Sequence, residues 1–322
     1  MNTRIQHIYW WIEYVAIRAL TTGMHIFPIN ANLHTARLLA RIWWHILPRH
    51  RRRAMEHLRA AYGPDADEAE LLRIAYASFQ SIVMTVIELL CVHRFMDRWN
   101  WHHYLKAVDL EEAFDWLINS RGAILVTGHY GNWELTGYLM AMMGIDVTAV
   151  MRPLDNPHLN QFLVETRRRR GLDLLAKRGA TASVEEVIRR GGAIGFIADQ
   201  NAGRKGIFVD FFGRPASTYK SIGLLAMSLE VPIICGYARR LGNKFQYELA
   251  ANRIIYPNEW KDRDDPLRWI TEQYTAAIEE FVRDAPEQYL WMHRRWKTRP
   301  KKEKPNGQEK NGKNSDNEKE AA

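Results

Sequence analysis

Two side chains in this 322-residue chain stand at a spacing suited to proton transfer: His129 and Glu134, within Thr127-Gly-His-Tyr-Gly-Asn-Trp-Glu-Leu135. A neutral imidazole can take a proton from a hydroxyl near neutral pH, because histidine titrates near pH ~6.5. A carboxylate on the ring's other nitrogen selects the tautomer and stabilises the imidazolium as it forms. The expected catalytic pair is therefore His129 as base and Glu134 as its partner, provided the turn carries the first helical residues back past the histidine.

The flanking sequence says what must hold this pair. A continuous apolar run, Gly122 to Thr127, leads in, and a helical pattern, Leu135 to Met143, leads out. That is the pattern of a buried strand, a glycine-containing turn and a helix start. Such turns expose reactive groups in α/β folds. Two further apolar runs end in polar residues: Asp146 to Met151 at Arg152, and Ala193 to Ala198 at Asp199-Gln200. His129, Arg152 and Asp199 thus fall at the ends of three strands. Alternation of strand and helix through the second half implies an α/β fold, a mixed central sheet flanked by helices on both faces. The N-terminal region is all helical and suited to a membrane surface.

Within that region, Ile8 to Phe27 is apolar and aromatic but carries Glu13 and Arg18. Each would cost roughly 2.5–3.5 kcal/mol at a bilayer centre. A single spanning helix and an interfacial one both fit, and the lack of a small-residue cleavage site argues against a signal peptide. From Ala31 to Leu47, His34, Arg37, Arg41 and His45 share one helical face, with Leu38, Leu39, Ile42, Trp43, Ile46 and Leu47 as apolar surface. A basic run, Arg49 to Arg53, follows. This suits binding to anionic lipid; the alternative is an ordinary globular helix with a solvated basic face. Asp67 to Met96 reads as a long, mostly buried helix in which Glu88 is paired or at the edge.

The expected organisation is a membrane-associated helix over 1–30 and a main domain over 31–298, helical and amphipathic to 100 and α/β from 101. A disordered charged tail over 299–322 follows. Net charge is +8 and 12 residues are tryptophan, with a pI near 9.4. Such a balance suits an anionic partner. The two cysteines, Cys91 and Cys235, lie far apart in apolar runs, which points to buried thiols. There is no Gly-x-Ser-x-Gly elbow, no His-Glu-x-x-His and no recognised nucleic-acid module, so serine-hydrolase, zinc and nucleic-acid readings are set aside.

The string Gly128-His-Tyr-Gly-Asn-Trp-Glu-Leu135 closely resembles the first motif of the bacterial lipid A biosynthesis acyltransferases. That family lies within the wider lysophospholipid/glycerol-phosphate acyltransferase group, marked by a histidine, four residues and an acid. The resemblance extends in order through Arg152, Asp199-Gln200, Phe211-Phe-Gly-Arg-Pro215, Val231-Pro232 and Gln288-Tyr-Leu-Trp-Met-His-Arg-Arg295, over roughly residues 30 to 297. It implies transfer of a fatty acyl group from acyl carrier protein or acyl-CoA to a hydroxyl of a membrane glycolipid, at the cytoplasmic face of a bacterial inner membrane. No cofactor or metal is implied beyond the donor's phosphopantetheine. Phosphatidylinositol mannoside and lysophospholipid acyltransferases remain alternatives, as does a non-catalytic glycolipid-binding protein.

On that reading the thioester is already activated, so direct attack by the acceptor hydroxyl is expected. Backbone N–H groups at Gly131 and Asn132, or the Asn132 amide, are oxyanion candidates, although Asn132 equally fits a helix cap. Arg152 is expected to bind an acceptor phosphate or brace the site. Asp199, with Gln200 beside it, is expected to orient the acceptor or support Arg152. Arg294 and Arg295 either touch phosphate or close the fold.

Overall fold

The computed structural model describes residues 3–119, 121–151, 153–169, 171–176 and 181–300. Arg152 and most of the charged tail lie outside the described residues. Four helices come first: α1 (Thr3–Met24), α2 (Ile29–Ile46), α3 (Pro48–Tyr62) and α4 (Glu68–Cys91). Asp67 caps α4 by accepting from the Ala69 N–H at 3.0 Å. Then come β1 (Leu105–Val108), α5 (Glu111–Ile118), β2 (Ala123–Thr127), α6 (Trp133–Met142), β3 (Val147–Met151), α7 (Pro157–Arg168), β4 (Asp173–Ala176), α8 (Thr181–Arg189) and β5 (Ala193–Ile197). The chain continues through β6 (Ile207–Phe211), β7 (Arg214–Thr218), α9 (Ser221–Leu229), β8 (Ile233–Arg240), β9 (Tyr247–Ile255), α10 (Pro257–Trp260) and α11 (Pro266–Asp284).

Seven strands form one mixed sheet in the order β1-β9-β8-β2-β5-β3-β4. Within this sheet, among the described residues, only the β8–β9 pairing is antiparallel; β6 and β7 form a separate antiparallel hairpin. β2 lies at the centre and is apolar on both faces, as a strand covered by helices on each side must be. Ile124, Val126 and Ile194 pack with Ile270, Tyr274, Ile278 and Phe281 of α11. Ala123 and Ala193 face Ala113 and Leu117 of α5 and Met140 of α6.

The helical N-terminal region shares these cores. Ala40 and Trp44 of α2 and Phe79 of α4 join the α11 side, while Leu33, Ala36, Met84 and Ile87 pack with Leu135 and Leu139 of α6. The buried stripe of α2 is thus Leu33, Ala36, Ala40 and Trp44. Leu38, Leu39, Ile42 and Ile46 are left exposed beside Arg41 and His45. α1 also shows an apolar outer face, Ile5, Ile8, Tyr9, Trp11, Ile12 and Val15. Its inner side rests on α7: Asn156 donates to the Trp10 carbonyl at 3.0 Å and to Glu13 at 2.8 Å, and Arg18 lies over the Phe162 ring at 4.9 Å. Glu13 and Arg18, costly inside a bilayer, therefore have partners in the folded domain.

One polar cluster joins the helical region to the sheet. Glu88, fully buried in α4, forms an ion pair with Arg240 at the end of β8, including a 2.8 Å bond. It also accepts from the Tyr247 hydroxyl and, at 2.8 Å, from the Asn132 amide. A carboxylate taken out of water needs such replacement donors. Arg240→Met leaves Glu88 buried without its counter-charge and is expected to cost about 3–5 kcal/mol. Denaturant unfolding measures this, and a loss below ~1 kcal/mol would contradict the account.

Candidate active site

His129 leaves the end of β2 and enters a turn whose backbone groups are held from several sides. Its carbonyl accepts from the Leu290 N–H at 3.0 Å, and the Gly131 N–H donates to the Gln288 carbonyl at 3.0 Å. The Gly131 carbonyl takes the Thr85 hydroxyl at 3.0 Å, and the Asn132 N–H donates to the Ala238 carbonyl at 2.8 Å. Gly131 sits at φ +55°, where a Cβ would lie 2.0 Å from the Ala238 oxygen, so both the left-handed turn and the close approach require glycine. Gln288 completes the clamp by exchanging two hydrogen bonds with the Arg240 backbone, at 2.8 and 3.0 Å.

The partner of the histidine is Asp199, 70 positions along the chain. Parallel pairing sets Thr127 opposite Ile197, and the Ala198 N–H donates to the Thr127 carbonyl at 2.9 Å. Two residues beyond each strand end, His129 and Asp199 are therefore level. The His129 Nδ1–H donates to Asp199 Oδ1 at 2.7 Å, and the His129 backbone N–H donates to Oδ2 at 3.0 Å. This leaves Nε2 as the unprotonated nitrogen of the neutral ring. Asp199 is only 1% exposed. Burial alone would raise its pKa, but the charge and hydrogen bonds of His129 outweigh this and hold it well below the usual carboxylate range. The ring itself is flanked by Trp133 at 5.1 Å and His293 at 4.4 Å, both edge to face.

Glu134 stands elsewhere, correcting the expected histidine–glutamate pair. As the second residue of α6 it points toward α7, where Arg167 Nε donates to it at 2.9 Å and Nη2 makes a second, shorter contact. Asn132 is likewise not free to bind substrate. It is 2% exposed, accepts from the Leu135 N–H at 3.0 Å as the cap of α6, and gives its amide to Glu88. The Gly131 and Asn132 N–H groups, expected as oxyanion donors, are spent on protein carbonyls. Arg295, 2% exposed, donates to the Gln200 and Ser217 carbonyls at 3.2 and 2.8 Å and to the Thr218 hydroxyl at 2.6 Å, so it closes the fold. Gln200 and Arg294 remain exposed.

Sequence reasoning overlooked Arg167 and His293. Arg167 is the first of four arginines at the end of a helix, where charge complementing the dipole is explanation enough; its pairing is visible only once α7 lies beside α6. His293 was readable as part of the C-terminal motif, but its contact with His129 depends on the zipper between 129–131 and 288–290. His129, Asp199 and His293 are also the group of potential metal ligands whose atoms converge, within 4.8 Å, among the described residues. Asp199 already spends both oxygens on His129, and the arrangement is accounted for as a hydrogen-bonded base.

Two spaces meet near these residues. An open cleft is lined by His129, Leu163, Gln200, Tyr219 and Leu225. An apolar cavity runs beneath α6, where Gly137, Ala149 and Gly195 leave room beside Leu125 and Met140. The cleft measures about 690 Å³, within the usual ligand-pocket range of roughly 300–1,000 Å³, and the cavity is a narrower slot of about 130 Å³. Arg167, Met151 and Phe196 border both.

The sequence profile of the bacterial lipid A biosynthesis acyltransferases matches residues 1–298. The chain belongs to this family. It is 24% identical over 302 residues to the lipid A biosynthesis lauroyltransferase of Escherichia coli (strain K12), covering 93% of this chain and 95% of that one. The palmitoleoyltransferase of the same organism is 29% identical over 189 residues, 57% and 58% of the two chains. A phosphatidylinositol mannoside acyltransferase of Mycolicibacterium smegmatis is 28% identical over 226 residues, 61% and 72%. The protein is thus an acyltransferase.

The second histidine makes the site sensitive to acid. Burial, reinforced by the nearby charge of His129, lowers the His293 pKa from 6.5 to about 4. Between those values the unfolded chain binds more protons than the folded one, so stability must fall as pH drops from about 6.5 toward 4, by on the order of 2–3 kcal/mol. Asp199 contributes stability that is present above the ordinary carboxylate value and lost only at lower pH. Replacing His293 with Gln should flatten the upper window in pH-dependent unfolding. An unchanged slope would show that the ring is not held neutral.

Proposed function

We propose that the protein transfers a fatty acyl chain from an acyl thioester, on acyl carrier protein or coenzyme A, to a hydroxyl of a lipid A precursor or related glycolipid, with His129 as general base. The 2.7 Å bond from His129 Nδ1 to buried, ionised Asp199 carries this reading. It directs Nε2 to the acceptor hydroxyl and supplies a fixed negative charge to stabilise the imidazolium. As the O–H proton passes to Nε2, the oxygen attacks the thioester carbonyl. Collapse of the tetrahedral intermediate breaks the C–S bond, and the imidazolium proton goes to the departing thiolate.

The apolar cavity beneath α6 suits the acyl chain: Gly195 lines it, and a Cβ there would meet only the Thr148 oxygen, 4.0 Å away. The cleft containing His129 and Gln200 then receives the acceptor. The Glu134–Arg167 pair stands between the two spaces and braces their common wall. Exposed leucine and isoleucine of α1 and α2, with basic residues alongside, support attachment to an anionic membrane surface. Because Glu13 and Arg18 are engaged by α7 and its preceding loop, α1 is read as an interfacial helix docked on the domain.

The assay uses labelled acyl-carrier protein and a panel of glycolipid acceptors. His129→Ala should lose at least ~10³-fold in kcat, and Asp199→Asn should lose ~10²–10⁴-fold because the tautomer is no longer fixed. Transfer by His129→Ala at the wild-type rate would end the assignment of this residue as base.

A further inference from the structure

A second feature near His129 is not used by the proton-transfer chemistry. α3 opens Pro48-Arg-His-Arg-Arg-Arg53, with no acidic residue in its first turn. Arg49 and Arg51 in the first turn set positive charge against the helix dipole, and Arg52 and Arg53 follow just beyond it. One of these arginines is turned toward the C-terminal motif. Arg53 Nη1 lies 3.5 Å from the Met292 carbonyl, and one turn on, His57 Nδ1 lies 2.8 Å from the Trp291 carbonyl. The half-buried Arg53 is thereby held beside Arg294, next in sequence to the His293 ring that packs on His129 at 4.4 Å. Neither Arg53 nor Arg294 forms an ion pair among the described residues. Burial and the charge of Arg294 both depress the Arg53 pKa, with Arg49 adding to the repulsion and Glu56 only partly opposing it.

Like charges brought together by backbone contacts, one residue from the histidine pair, suit a doubly charged or diester oxyanion. We propose that Arg53 and Arg294 form a phosphate-binding site beside His129, with Arg49 adding to its field, and that this site holds a phosphate group of one of the two substrates. The proposal rests on the acyltransferase reading only for the source of that phosphate. The acceptor's sugar phosphate and the phosphodiester of the donor's pantetheine arm offer the same chemistry.

The test compares wild type with Arg53→Gln, Arg294→Gln and the double variant, in the full-length protein. Wild type should be stabilised thermally by inorganic pyrophosphate, and the double variant should lose that shift. This arm is independent of any acyl transfer, so failure of the catalytic reading leaves it interpretable. In the kinetic arm, kcat/KM of the variants should fall at least tenfold toward a phosphorylated acceptor but not its dephosphorylated form, or toward acyl-phosphopantetheine but not acyl-pantetheine. The first result assigns the phosphate to the acceptor and the second to the donor. Pyrophosphate stabilisation that is absent from wild type, or equal in wild type and double variant, overturns the proposal. So does a fall in kcat/KM that ignores the presence of phosphate on both substrates.

Discussion

A carboxylate sealed from water stays ionised only if protein donors and a nearby positive charge replace its hydration. Asp199 takes both of its donors from His129, a ring N–H and a backbone N–H, while the charge of the buried Arg295 acts on it from nearby. The bargain is mutual: the ring gains a fixed tautomer and a counter-charge, and the aspartate gains its donors. It also dictates the surrounding architecture. The two residues meet only if β2 and β5 are adjacent, parallel and in the Thr127–Ile197 register, since a slip of one residue would turn one side chain to the opposite face. The antiparallel bridge between Tyr130 and Tyr289 then holds the turn beyond the strand, and His293 and Trp133 restrict the ring from the sides.

Behind the site, a second buried carboxylate does structural work. Glu88 gathers Arg240, Tyr247 and Asn132 and so fixes the start of α6 against both α4 and the β8–β9 pair. Such pairs contribute little net stability compared with apolar packing, but they are costly to break and permit few alternative arrangements. The polar groups of Gly131 and Asn132 are thereby spent within the protein, on the turn that carries His129. The helical N-terminal region is accordingly part of the acyltransferase fold's support, while the outward sides of α1 and α2 are apolar.

Much of this was legible before the structure, in particular places. β2, β3 and β5 announce themselves as apolar runs, and His129 and Asp199 as polar residues at their ends. β1, Leu105–Val108, escaped notice because it is short, half-exposed and carries a lysine. The pairing of His129 was misread for a physical reason. The four-residue gap to Glu134 suggested a local contact, yet in α6 that side chain points toward α7, and the true partner comes from a strand whose neighbour is set by tertiary pairing. Periodicity cannot reveal which strands adjoin. For Asn132 and Arg295 two readings stood open, a substrate contact or a cap and a fold-closing contact, and only their burial decides for the second in each case.

The account stands on Asp199, not Glu134, holding the proton of His129 Nδ1. Nitrogen-15 NMR of histidine-labelled protein reads this bond directly, through the tautomer and the downfield ring proton of His129. In the wild type the Nδ1–H tautomer should dominate above the ring's titration; it should be lost or scrambled in Asp199→Asn and persist in Glu134→Gln. Persistence in Asp199→Asn together with loss in Glu134→Gln would contradict the account and return the glutamate to the role its spacing first suggested.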